Sequence, residues 1–162
     1  MANDMSEIRS TLNDLIETCK DSQEGFHSAA EKLKDGPEIH TLFLKLYLQR
    51  SEFAGELQAE VTRIGGEPAT SGSTAGAIHR GWIGLKTALA ADTDHAILEE
   101  AERGEDAAVK NYIEGLRKDL PSDLERIVSR QFREIQQAHH AIRELLERHR
   151  TPTTDLPMAG LR

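Results

Sequence analysis

The sequence lacks several features that would each define a class of protein. It has a single cysteine, Cys19, which excludes an intrachain disulfide framework and gives no sign of an oxidising compartment. No run approaches the roughly 18 consecutive apolar residues of a membrane-spanning helix. The first ten residues, MANDMSEIRS, carry no apolar signal-peptide segment. These absences predict a soluble, cytoplasmic protein.

Positive charge is also in short supply. The 20 Lys and Arg residues are outnumbered by 28 Asp and Glu residues, which gives a formal net charge of −8. Nucleic acids and anionic membrane surfaces both require a cationic face, so neither is an expected partner. With 162 residues, of which 38% are hydrophobic, the chain is long enough to bury the core of one domain.

The apolar residues that are present recur at helical spacing through most of the chain. Their stripes and the intervening Gly and Pro residues predict helices over about residues 6–34, 37–64, 74–91, 94–119 and 122–150. Short turns join the long helices into two antiparallel hairpins, and the helix over about 74–91 lies in the crossover between them. We therefore expect an all-α antiparallel four-helix bundle over residues 1–150 with an extra short crossover helix. Residues 151–162 are expected to form a flexible tail.

Several short strings occur together between residues 8 and 148. As a set they resemble a bacterial ferritin-like four-helix-bundle family known only as a domain of unknown function, which implies a ferritin-like bundle and no assigned activity. The strings are Leu12-Asn13-Asp14-Leu15-Ile16, Gln49-Arg50 followed by Phe53-Ala54, Gly65-Gly66-Glu67-Pro68, His79-Arg80-Gly81-Trp82, Glu102-Arg103-Gly104-Glu105-Asp106 and His139.

Ferritin-like proteins that bind two metals need a particular set of inward-facing ligands. They place a Glu on each of two helices and a Glu-x-x-His motif on each of the other two. At about 100° per residue, Glu17, Glu24 and Glu52 lie roughly 150° from the apolar stripes of the first two helices and should face solvent. We therefore expect no di-iron centre.

The last two helices also depart from the di-iron pattern. They carry Glu99-x-x-Glu102-x-x-Glu105 and Gln136-x-x-His139, and neither contains Glu-x-x-His. Iron remains an alternative cofactor, with Glu102, Glu105 and His139 as the candidate ligands.

Two opposite charges are predicted to lie in the interior instead. Arg50 falls within about 20° of the centre of the second helix's apolar stripe, and Glu105 is equally near the centre of the third long helix's stripe. Both lie about 20 Å from an end of the bundle, so they should meet and form an ion pair. Gln131 and His139 also turn inward and are expected to support the pair. The pair either fixes helix register or forms part of a site for a small anion or a single metal.

The function expected from these features is non-enzymatic. We expect a structural, binding or stress-associated bundle protein, with the Arg50–Glu105 centre in place of a di-iron site. The alternative is a metal-binding, iron-handling or oxidase protein. Assembly of the chain into a homo-oligomer stays open.

Two segments could contact partners. Trp82, on the crossover, is either packed against the bundle or exposed as the anchor of a binding surface. The final residues, LPMAGLR, resemble the targeting peptides of encapsulin cargo proteins, with Leu156, Met158 and Leu161 as the apolar anchors. That resemblance implies an encapsulin shell as partner and a protein nanocompartment in the cytosol as location; the alternative is a disordered tail.

Overall fold

The protein is an antiparallel bundle of four long α-helices in a computed structural model that describes residues 2–33, 36–72, 82, 84–91 and 93–150. Along these residues there are no strands. Helix α1 contacts α2 and α4, and α5 contacts α4 and α2, so the long helices close a ring around a shared interior. The short α3 packs on α4 and α1. The five helices are α1 (Ala2–Lys32), α2 (Pro37–Arg63), α3 (Leu85–Ala91), α4 (Asp94–Leu116) and α5 (Ser122–Arg150).

Local sequence chemistry explains where the helices begin and end. Pro37 opens α2, since its fixed φ suits the first helical turn. The side chain of Thr93 caps α4 by accepting a hydrogen bond from the backbone N–H of Ala96 at 3.1 Å. The α4 helix ends at Leu116, before the expected residue 119, because Asp119 adopts a left-handed backbone with φ of 59°.

The connection after α2 is fastened to α1 by one amide side chain. Gly65 takes a positive φ of 82°, which lets the chain turn sharply at the end of the helix. Asn13 then donates to the carbonyl of Glu67 at 3.0 Å and accepts from the backbone N–H of Ala69 at 2.8 Å. These bonds hold the start of the crossover against the bundle.

The described residues of the crossover are helical only in α3. Trp82 and Gly84 precede α3 in non-helical conformations, at positions where the sequence pattern predicts helix. Most of the predicted helix before residue 85 lies outside the described residues. The tail over 151–162 also lies outside them, so the division between a bundle domain and a tail stays a prediction.

Trp82 is buried in its own chain, so of the two alternatives the structure supports packing against the bundle and contradicts a binding surface anchored by Trp82. Its side chain is 1% exposed and meets the ring of Phe26 edge-on at a centroid distance of 5.1 Å. The indole fits between Gly25 of α1 and Gly104 of α4, where an added Cβ would lie 2.5 Å and 2.2 Å from the indole, respectively. The two glycines therefore create the slot that Trp82 fills.

The interior consists of two apolar clusters with a polar layer between them. One cluster contains the side chains around Leu12, Leu57 and Tyr112, and the other contains those around Phe26 and Ile142. On each of the long helices, a buried polar residue occurs at or close to the point where one cluster gives way to the other. These residues are Ser22, Arg50, Glu105 and Gln131.

We predict opposite effects of Gly→Ala at two helix-interior positions. Gly104→Ala should lower the free energy of unfolding by about 1–3 kcal/mol, because the new methyl group overpacks against Trp82. Gly55→Ala should raise it by about 0.5–1 kcal/mol, because no atom of the described residues lies within 4 Å of the new Cβ and alanine favours helix. Urea unfolding measures both values. Stabilisation by both substitutions would contradict the slot around Trp82.

Candidate functional site

The centre of the bundle is an ion pair between α2 and α4. Nη1 and Nη2 of Arg50 donate to Oε1 and Oε2 of Glu105 at 2.5 Å and 2.6 Å, so the guanidinium uses two donors on both carboxylate oxygens. Neither side chain has any exposed area. The two side chains meet because each occupies the middle of an apolar stripe at the same depth in the bundle. Such bidentate pairing is the geometry that best offsets the loss of water around both charges.

The remaining contacts of Arg50 keep its guanidinium in place. Nε donates to the side-chain oxygen of Gln49 at 3.1 Å, and the guanidinium carbon lies 5.5 Å from the ring centroid of Phe26. Burial by itself lowers the pKa of Arg50, but the charge and hydrogen bonds of Glu105 outweigh it and leave the pKa raised. Arg50 is therefore a fixed cation at all accessible pH values.

Gln131 belongs to a neighbouring hydrogen-bond chain rather than to the ion pair. Tyr112 donates to its side-chain oxygen at 2.7 Å, and its amide nitrogen donates to Oε1 of Glu56 at 2.8 Å. The sulfur of Cys19 lies 3.1 Å from the Tyr112 hydroxyl oxygen. Because the tyrosine proton is used on Gln131, the thiol is the donor in that contact. This chain links all four long helices.

Burial keeps two groups of this hydrogen-bond network, Cys19 and Tyr112, in their neutral forms. Burial raises the pKa of Cys19 from its ordinary value of 9.0 to about 11, although the charge of Arg50 opposes the rise. Burial also raises the pKa of Tyr112 well above its usual range. Cys19 is therefore an unreactive thiol at neutral pH.

His139 forms a separate pair at the rim of the bundle. Its Nε2 lies 3.0 Å from Oε2 of Glu102, with side-chain exposures of 14% and 31%. No hydrogen bond within the described part of the chain joins His139 to Arg50 or Glu105, so its expected support of the ion pair is absent. The reason is its phase: about 60° from the stripe axis, the ring reaches α4 one turn away from Glu105.

The described residues do not fit a di-iron centre. Both oxygens of Glu105 bind Arg50, while Glu102 pairs with His139, so the three candidate ligands are divided between two contacts. Along those residues, no group of three or more His, Cys, Asp and Glu side chains could hold a metal ion.

One Glu-x-x-His motif does occur in the sequence, on α1, and the structure shows which way it faces. Glu24 and His27 occupy α1 at the required spacing, but both are exposed. His27 lies 3.8 Å from Glu31, one turn further along the same helix. The motif therefore faces solvent and does not supply inward-facing ligands of the kind that two-metal bundles use.

Glu100 is a buried carboxylate that the helical pattern does not reveal. It is 1% exposed, and it accepts hydrogen bonds from the backbone N–H of Gly84 at 2.8 Å and from Nη2 of Arg103 at 3.0 Å. It ties α4 to the segment before α3. The only sequence signal is Arg103 three residues later, a spacing equally typical of exposed helical pairs.

The sequence of the chain matches one protein family. Residues 7–118 match the family described as Domain of unknown function (DUF2383). The chain belongs to this family. The match covers α1 from residue 7 onward and all of α2, α3 and α4, and with them both members of the Arg50–Glu105 pair. No curated protein matches the chain.

Two solved structures resemble the bundle as a whole. One is a point mutant of Dps1 from Mycobacterium smegmatis, with a TM-score of 0.73. The other is described as ferritin like, diiron-carboxylate proteins from Bacillus anthracis str. Ames, with a TM-score of 0.70. Each is 14% identical to this chain, and each alignment covers 90% of this chain and 99% of the other. The fold is therefore a ferritin-like four-helix bundle. None of the described helices is long and apolar enough to cross a membrane.

We predict that removing one member of the Arg50–Glu105 pair destabilises the fold, whereas replacing both with apolar residues does not. Arg50→Met or Glu105→Leu alone should lower the free energy of unfolding by about 3–5 kcal/mol, because each leaves a buried charge without its partner. The double variant should lie close to the native value. As a control, Lys110→Met removes an exposed pair with Asp106 and should cost less than about 1 kcal/mol. Additive losses in the double variant would rule out the coupling.

We also predict a loss of stability at high pH that depends on Cys19. The folded thiol ionises near pH 11 and the unfolded thiol near pH 9, so the folded state keeps the proton longer. The stabilisation is complete below pH 9 and is lost by up to about 3 kcal/mol as the pH rises to 11. Urea unfolding at several pH values should show a shallower decline for Cys19→Ala than for the native chain. Parallel declines would contradict this origin.

Proposed function

We propose that this chain is a non-enzymatic ferritin-like bundle protein with a structural or binding role. The observation that supports the proposal is the bidentate pair between Arg50 and Glu105 at the centre of the bundle, which has no exposed area. A guanidinium already supplies the positive charge that an interior carboxylate needs. The ion pair thus takes the place of a di-iron site.

The chemistry of the pair argues against metal binding at Glu105. A metal ion bound there would displace the guanidinium and leave Arg50 as an uncompensated cation with no exposed area. Two cations would also need several anionic ligands to offset their charge. The candidate ligands Glu102 and His139 already satisfy each other at the rim.

The burial of the pair argues equally against catalysis by it. A catalytic group must touch substrate, and neither Arg50 nor Glu105 can do so while the helices stay packed. Cys19 and Tyr112 are buried as well, with pKa values raised by burial, so neither is an activated nucleophile at neutral pH.

An iron-handling or oxidase function is the second candidate. The rim pair of His139 and Glu102 favours it, because imidazole and carboxylate are both iron ligands and the pair retains access to solvent. One of the two similar structures is also described as a diiron-carboxylate protein. This second candidate requires additional ligands beyond the pair.

The partner proposed from the sequence is an encapsulin shell, bound through Leu156, Met158 and Leu161. These three residues lie outside those that the structure describes, and the proposal rests on the similarity of the terminal sequence to cargo-targeting peptides.

Metal analysis of untagged protein separates the two candidates. After incubation with ferrous iron and gel filtration, the native chain should retain less than one equivalent of iron, because Glu105 is bound to Arg50. His139→Ala and Glu102→Gln should not change that value. Two retained equivalents, lost in either variant and accompanied by accelerated iron oxidation, would overturn the proposal and support the iron-handling candidate.

A further inference from the structure

The outward face of α2 carries an uncharged stripe over residues 41–62. Its two leucines are among the most exposed large apolar side chains, with Leu44 38% and Leu48 60% exposed. At 1.5 Å per residue the stripe is about 30 Å long, on a chain in which 30% of residues are charged. The stripe consists of Thr41, Leu44, Leu48, Ser51, Gly55, Ala59 and Thr62, of which all but the half-buried Ser51 are exposed.

Gly55 has no explanation within the described part of the chain. Glycine in the interior of a helix is destabilising, and it is retained where another group must approach closely. Gly25 and Gly104 meet that condition, since Trp82 packs against both. At Gly55 an added Cβ would meet nothing within 4 Å. Close approach by a group from outside the described residues would account for a glycine at that position.

Two antiparallel copies of the stripe are complementary in side-chain size. Its first half carries the bulky Leu44 and Leu48, and its second half carries the small Gly55 and Ala59. In an antiparallel pair related by a two-fold axis near Ser51, the leucines of each copy lie over the small residues of the other. We propose that this stripe binds a second copy of the chain through an antiparallel α2–α2 contact.

The charges beside the stripe also match in this arrangement. One flank carries, in order, Glu38, Lys45, Glu52, Glu56 and Arg63. An antiparallel two-fold axis brings this flank against the same flank of the other copy. Lys45 of each copy then lies opposite Glu56 of the other, and Glu38 lies opposite Arg63.

These charges set the register of the contact more than its strength. Glu38, Glu56 and Arg63 already pair within the chain with Arg148, Arg130 and Asp123. Glu52 meets its own copy near the axis, and this like-charge contact opposes association. The stripe contributes only two large apolar side chains, Leu44 and Leu48, to such a contact. The dimer is therefore reversible and depends on protein concentration.

Sedimentation velocity of the full chain over a range of concentrations tests the proposal. We expect a monomer–dimer equilibrium that Leu48→Glu weakens by about tenfold or more. Ile113→Glu is the matched control, because Ile113 is an exposed apolar residue on α4, at 36% exposure. It should leave the equilibrium unchanged. A chain that is monomeric at all concentrations, or equal effects of both substitutions, would overturn the proposal.

Gly55→Gln separates association from folding. The longer side chain has open space in the single chain and favours helix, so the melting temperature of the monomer should rise. The same side chain blocks the approach of Leu48 from the other copy and should weaken the dimer by about tenfold. An unchanged dimerisation constant would place the contact elsewhere.

Cross-linking tests the antiparallel geometry. With a short bismaleimide, Ser51→Cys should give a covalent dimer, because position 51 lies near the two-fold axis. Thr62→Cys should not, because the two copies of position 62 lie at opposite ends of the contact. The native Cys19 is buried and stays unlabelled. Efficient cross-linking at 62 and not at 51 would contradict the antiparallel pair.

Discussion

The ion pair between Arg50 and Glu105 constrains how α2 and α4 lie against each other. Both charges are removed from water, so each is tolerated only while the other is in place. Sliding one helix by a single turn would separate them by about 5 Å and leave two unmatched charges in an apolar interior. We interpret the pair as a device that excludes alternative registers, which buried polar groups are best known to provide.

The polar layer of Ser22, Arg50, Glu105 and Gln131 divides the core into two apolar clusters. On one side, Tyr112 and Gln131 extend the polar chemistry sideways through hydrogen bonds that reach Cys19 and Glu56. On the other side, aromatic and aliphatic packing around Phe26 dominates. Cys19, Tyr112 and Gln131 in this hydrogen-bond network are uncharged, and Glu56 at its end also accepts a hydrogen bond from Arg130.

Helical periodicity predicted the parts of this arrangement that lie on the stripe centres. It located Arg50 and Glu105 because a period of 3.6 residues fixes which way each side chain faces. It could not assign the partner of His139, since a residue off the stripe axis reaches whichever group a neighbouring turn presents. Glu100 escaped for another reason: it accepts a hydrogen bond from the backbone of Gly84 on the crossover, and the facing of residues within α4 does not predict that contact.

The fluorescence of Trp82 reports on the folding of one part of the bundle. Trp82 is the only tryptophan in the chain, and its indole lies wholly within one of the two apolar clusters. Its N–H is buried without a hydrogen-bond partner among the described groups, so its emission responds to the first entry of water. Fluorescence thus senses the Phe26 half of the core alone, while circular dichroism senses every helix. A gap between the two signals during unfolding would reveal that the halves on either side of the polar layer separate in sequence.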